Sequence, residues 1–149
     1  MKQMIEAAIA SAEFDLGMVL AAARHIPEDK LTWSPGGKAT SALQILGHVS
    51  GFVEWLVQSI ESGQMYQGST DDSPANLAEA EALCKAAMER FATWARGLSD
   101  ETLSKDVVFP WETAPAWRVL NYFDWNNTYH MGQLNYIQLL LGDEEMYMD

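Results

Sequence analysis

The stretch Asn126-Asn-Thr-Tyr-His130-Met-Gly-Gln133 lies inside an apolar helical pattern and carries an amide and an imidazole four residues apart. Side chains at i and i+4 share one face of a helix, so Asn126 and His130 are expected to point into the same space. Around them Leu120, Phe123, Asn127, Leu134, Ile137 and Leu141 fall on one stripe, which Gly142 ends and Thr113-Ala-Pro115 opens. Polar groups on such a stripe need partners across the core, because an unpaired buried polar group is costly.

Working back from this helix, a second inward histidine, His48, sits between Ile45 and Phe52. Its helix begins at Thr40 or Ser41, where Ser41-Ala-Leu-Gln44 fits a capping box, and Gly63 closes it. Ile45, Val49, Phe52, Val53, Leu56 and Ile60 form its apolar stripe. The first helix runs from about Lys2 to His25 on a stripe that includes Ile5, Ile9, Leu16 and Leu20, and Pro27 ends it. The segment through Trp33-Ser-Pro-Gly-Gly-Lys38 then reads as a crossing loop.

After the loop Gln67-Gly-Ser-Thr-Asp-Asp72, Ser73-Pro74 is the start signal of a third helix carrying Leu77, Leu83, Phe91, Trp94 and Leu98. Val107-Val-Phe-Pro-Trp111 reads as an extended connector, with room for a brief strand pair, and the last seven residues as a frayed acidic tail. Four helices of about 20 to 28 residues joined by long loops predict an all-α four-helix bundle. A single domain covers residues 1–149. No alternating set of buried strands supports a doubly wound α/β fold.

The formal charge of −12, from 21 acidic and 9 basic residues, opposes phosphate backbones and anionic lipid, so neither nucleic acid nor membrane is an expected partner. No segment approaches the roughly 20 apolar residues of a membrane span, and no signal-peptide pattern opens the chain. Cys84 is the only cysteine, which leaves no intramolecular disulfide framework and makes a cytoplasmic location the simplest expectation. Within its helical pattern Cys84 reads as a small buried hydrophobe.

Two inward histidines on separate helices admit two readings. They are ligands of a metal held in the bundle core, or they are core histidines satisfied by hydrogen bonds. Trp55, Trp94, Trp117, Trp125 and Tyr129 sit in helices and are candidates to border an aromatic pocket beside His48 and His130; ordinary packing is the competing account.

The order and spacing of Ser41-Ala-Leu-Gln-Ile-Leu-Gly-His48-Val, Trp55, His130-Met-Gly-Gln133 and Leu141-Gly142, with the Leu31-Thr-Trp33-Ser-Pro approach, resemble the DinB-like superfamily over nearly the whole chain. The resemblance implies a four-helix bundle with three metal ligands, one histidine from the second helix and two from the fourth spaced HxxxH. It further implies a divalent metal, zinc or nickel, a low-molecular-weight thiol such as bacillithiol or mycothiol, and a homodimer. Carried over, His48 matches the first ligand and His130 the last. The middle ligand falls on Asn126, where the family pattern has His.

That departure matters because a neutral amide oxygen is a poor ligand for zinc or nickel beside imidazole. Gln44 and Gln133, one turn from the histidines, are amides too. Asp124 and Glu54 lie six residues from the nearer histidine, about 120° around the helix. Glu112 or Asp100 would have to arrive from a loop. Gly132 inside a helix suggests a close helix approach. Two functions follow: a metal-dependent enzyme of thiol-dependent transferase or hydrolase type with an incomplete triad, or a non-catalytic dimeric bundle that binds a small molecule or partner.

Overall fold

The computed structural model describes residues 1–147; Met148 and Asp149, which belong to the expected acidic tail, lie outside the described residues. Four long helices form the body: α1 (Lys2–Arg24), α2 (Ala42–Ser62), α3 (Leu77–Arg96) and a last helix, Tyr122–Leu140. Between α3 and the last helix come α4 (Asp100–Ser104), a hairpin of β1 (Asp106–Val108) and β2 (Thr113–Pro115), and α5 (Ala116–Val119), so the last helix is α6.

Helices α1 and α2 bury the stripes their sequence lays out, and α6 does so except at its C-terminal end, whereas α3 buries Ala80, Cys84, Ala87, Met88, Phe91 and Ala95 and leaves the expected Leu77, Leu83, Trp94 and Leu98 only partly buried. Ile5, Ile9, Leu16 and Val19 of α1 meet Leu46, Val49, Val53 and Leu56 of α2, Phe91 of α3 and Phe123 and Leu134 of α6 in one continuous core. Full burial of a large aliphatic or aromatic side chain contributes about 1.5–3 kcal/mol, so this cluster is the main favourable term. Both α1 and α2 pack against α3 and α6. The diagonal pairs are therefore α1 with α2 and α3 with α6, while α2 and α3 are neighbours; the long loop from His25 to Ser41 makes the first crossing possible.

The capping box at the start of α2 is present as expected, with Gln44 N donating to Ser41 Oγ and Ser41 N donating to Gln44 Oε1. Gly63 ends α2 in the left-handed region at φ 72°. Three boundaries differ from the sequence reading. Helix α3 starts at Leu77, not at Ser73-Pro74, because Asn76 supplies the cap to Glu79 N while the Ser73 region is held in the preceding loop against α2. Thr113-Ala-Pro115 forms a strand that leads directly into a short helix, α5, with Pro115 at its N-cap: Val107 pairs with Ala114 and Val108 with Thr113, so the backbone groups before the helix are satisfied in a ladder. Asp143 to Tyr147 is not frayed, since Gln138 Nε2 donates to Asp143 and Tyr147 stacks on His25 with centroids 3.3 Å apart.

The hairpin fastens to the end of α2 through Met65 N to Val108 O and Val108 N to Gly63 O. That attachment carries the β1–β2 turn, with Trp111 and Glu112, to one mouth of the bundle.

Candidate functional site

A cavity of about 1060 Å3 opens between α2, α6, the hairpin turn and the loop after α2. His48 on α2 and Asn126 and His130 on α6 all line it, so the three residues singled out by sequence do converge. The imidazoles of His48 and His130 lie with ring centroids 4.8 Å apart at 62°.

Each imidazole is oriented by a partner on Nδ1. His48 Nδ1 donates to Asp71 Oδ1 at 2.9 Å, and His130 Nδ1 donates to Gln133 Oε1 at 2.7 Å. Among the described residues no hydrogen bond engages either Nε2. Burial pulls His130 down to about 4, with the neighbouring His48 adding and Gln133 opposing, so its imidazole is neutral at physiological pH. A neutral imidazole whose other nitrogen is tied to an oxygen acceptor is the form that binds a metal.

Asn126 is buried, and its Nδ2 has no hydrogen-bond partner among the described residues. Burying an amide N–H without an acceptor costs about 1–3 kcal/mol. Among the described residues no group of three or more His, Cys, Asp or Glu is arranged to hold a metal ion. A divalent ion here would have two imidazoles and one amide oxygen as its donors, the last adding little affinity.

Asp71 is the residue that sequence reasoning passed over as part of a polar loop. It reaches His48 because the loop lies directly on α2. A Cβ at Gly47 would collide with the Asp72 carbonyl oxygen, and one at Gly51 with that of Thr70. Asp72 N also donates to Gly47 O at 2.9 Å. Two glycines four apart on a helix, flanking His48, are the signal that a backbone passes close. Among the described residues nothing lies within 4 Å of a Cβ at Gly132, so no helix of this chain makes the close approach expected there.

The rest of the wall is aromatic. Trp55, Trp125 and Tyr129 line the cavity as expected, whereas Trp94 turns away to donate to Glu61 at 3.1 Å and Trp117 lines neither of the two cavities around the histidines. Trp111 and Tyr122 join instead, brought by the hairpin and by the first turn of α6. Of the two loop carboxylates considered, Glu112 arrives and Asp100 does not. Glu112 accepts from the Tyr122 hydroxyl and from Arg118 Nη2, the latter at 2.8 Å, so its charge is compensated. Cys84 is fully buried, donates to Leu46 O at 3.6 Å, and burial pushes its thiol up to about 12, which leaves it inert.

A family model described as the DinB superfamily matches residues 12–134. The chain belongs to the DinB superfamily. Two solved structures share the fold of this DinB-superfamily protein. YjoA of Bacillus subtilis, a DinB-like protein, aligns with a TM-score of 0.71 at 16% identity, covering 93% of this chain and 94% of that one. YfiT of Bacillus subtilis, described as a probable metal-dependent hydrolase with an unusual four-helix bundle topology, aligns with a TM-score of 0.74 at 14% identity, covering 96% and 90%. No curated protein sequence matches the chain. Among the described residues no helix is long and apolar enough to cross a membrane.

Proposed function

We propose that this DinB-superfamily chain is a metal-dependent enzyme of hydrolase or thiol-dependent transferase type, acting on a small, largely apolar molecule. The observation that carries the reading is the pair of neutral-capable imidazoles, His48 and His130, each with Nδ1 tied off and both facing one aromatic cavity. His48, Asn126 and His130 would hold a divalent ion, zinc or nickel. When bound, such an ion supplies a Lewis acid that makes water or a low-molecular-weight thiol a nucleophile near neutral pH. The description of YfiT as a probable metal-dependent hydrolase supports the same direction.

The chain's own residues then divide the work. Asp71 fixes the tautomer and ring plane of His48, as a carboxylate behind a ligand histidine does elsewhere. Trp55, Trp125 and Tyr129 supply the apolar surface against which the apolar part of a substrate packs. The Tyr122 hydroxyl, held by Glu112, presents a polar handle at the hairpin end. The test is activity on aryl ester and electrophilic thiol-acceptor panels. It should vanish on chelation, return with added zinc or nickel, and be lost in His130→Ala; activity indifferent to chelation would overturn the reading.

A second reading is favoured by one observation, the amide at Asn126 in place of a third imidazole. In it the bundle is a non-catalytic dimer whose aromatic cavity binds a small molecule. Both readings accord with a homodimer. Trp125, Tyr129, Tyr136 and Leu140 lie exposed on one face of α6, and the bare backbone of Gly132 lies between them. Light scattering at micromolar concentration should return twice 16.6 kDa; the monomer mass would contradict the dimer. The single buried cysteine accords with a cytoplasmic setting.

A further inference from the structure

A second cavity, of about 460 Å3, adjoins the aromatic one, and His48, Asp71 and His130 line both. The imidazole pair therefore lies between a mostly apolar compartment and one of mixed polarity. On the second side Ala39 and Ile45 supply apolar wall, and the polar part comes from Lys38 in the loop before α2, Gln44 in its first turn, Asp72 in the loop after it and Gln133 on α6.

The hydrogen bonds already made decide what this wall can still bind. Gln44 Oε1 accepts from Ser41 N at 2.9 Å, and Gln133 Oε1 accepts from His130 Nδ1, so each amide keeps its Nε2 group as a donor. Among the described residues no hydrogen bond or ion pair engages Lys38. Asp72 Oδ2 accepts from Ser50 Oγ at 2.7 Å and Asp71 Oδ1 from His48, which leaves one carboxylate oxygen on each without a hydrogen bond among the described residues.

The cavity thus offers an ammonium and two amide donors together with two carboxylates. A simple anion would meet Asp71 and Asp72, and a simple cation would meet Lys38. A molecule carrying both charges close together satisfies both sets. We propose that this cavity is a separate binding site for a small zwitterion of the α-amino-acid class. Its carboxylate faces Lys38 and the amides of Gln44 and Gln133, and its ammonium faces Asp72 and Asp71. The active centre then has two compartments, one for an apolar molecule and one for a hydrophilic amino compound, meeting at the imidazole pair. The functional meaning rests on that pair being the reactive centre, but the binding does not.

The experiment is an NMR titration of the chelated, metal-free full chain with L-alanine, set against propionate and ethylamine, which each carry one of its charges. Alanine should shift the resonances of Lys38, Gln44 and Gln133 and bind at least about tenfold more tightly than either half. Lys38→Glu should weaken alanine at least about tenfold. Gln44→Glu should act in the same direction while retaining the capping box, since a glutamate oxygen still accepts from Ser41 N. Equal affinity for either half, binding indifferent to both substitutions, or no shift up to about 50 mM would overturn the site. Because no metal is present, failure here leaves the metal reading standing, and a chain that refuses metal leaves this result standing.

Discussion

Asp71 Oδ1 lies 2.9 Å from His48 Nδ1, which fixes a histidine on α2 from a loop that begins after that helix has ended. The contact selects the tautomer that leaves Nε2 free. Asp71→Asn keeps an acceptor oxygen but removes the charge behind the ring. It should lower metal affinity about 10–100-fold with little change in thermal stability, because the side chain is half exposed. Calorimetric titration of zinc or nickel into wild type and variant checks this; equal affinities would remove Asp71 from the site.

Replacing the amide between the histidines should act in the opposite direction. Asn126→His completes a three-imidazole set and exchanges a weak donor for a good one. Affinity for zinc should rise by at least about tenfold, measured by competition with a chelating dye. A loss of affinity would show that Asn126 does not face the ion.

Two glycines on different helices should respond with opposite signs. In Gly51→Ala the new methyl group meets the Thr70 carbonyl, so the loop must move and stability should fall by about 1–3 kcal/mol. In Gly132→Ala the methyl group meets nothing among the described residues, and at concentrations that keep the chain monomeric helix propensity should raise stability by about 0.5–1 kcal/mol. Urea unfolding of both variants measures the contrast. Gly51→Ala should also weaken metal binding, since the displaced loop carries Asp71.

Cys84 should be silent in the native protein. Burial pushes its thiol up to about 12, so the reactive thiolate is present only well above physiological pH, and its population rises as pH rises toward that value. A disulfide reagent at pH 8 should label no thiol in native buffer and one per chain after denaturation. Rapid native labelling would mean that α3 opens locally.

The bundle was legible because four apolar stripes at helical period run most of the chain, and helix period alone fixes which residues face inward. His48, Asn126 and His130 were legible for the same reason. Asp71 was not, because period says nothing about where a loop lies, and the one trace of it was the Gly47 and Gly51 pair beside His48. Trp111 was hidden by the hairpin, and Glu112 was legible only as a carboxylate that a loop could bring: Thr113-Ala-Pro115 carries a helix-start pattern, and pairing with Val107 and Val108 makes it a strand. Trp94 and Trp117 show the converse error, since a tryptophan on a helix has several faces to occupy and composition does not choose among them.

The most direct test is elemental analysis of the tag-free chain after dialysis against zinc and, separately, nickel, with His130→Ala and Asn126→His alongside. The account predicts about one ion per chain in the wild type, retained in Asn126→His and lost in His130→Ala. A wild-type chain that stays empty while Asn126→His fills would contradict it, and would leave the bundle as a pocket that has lost its ion.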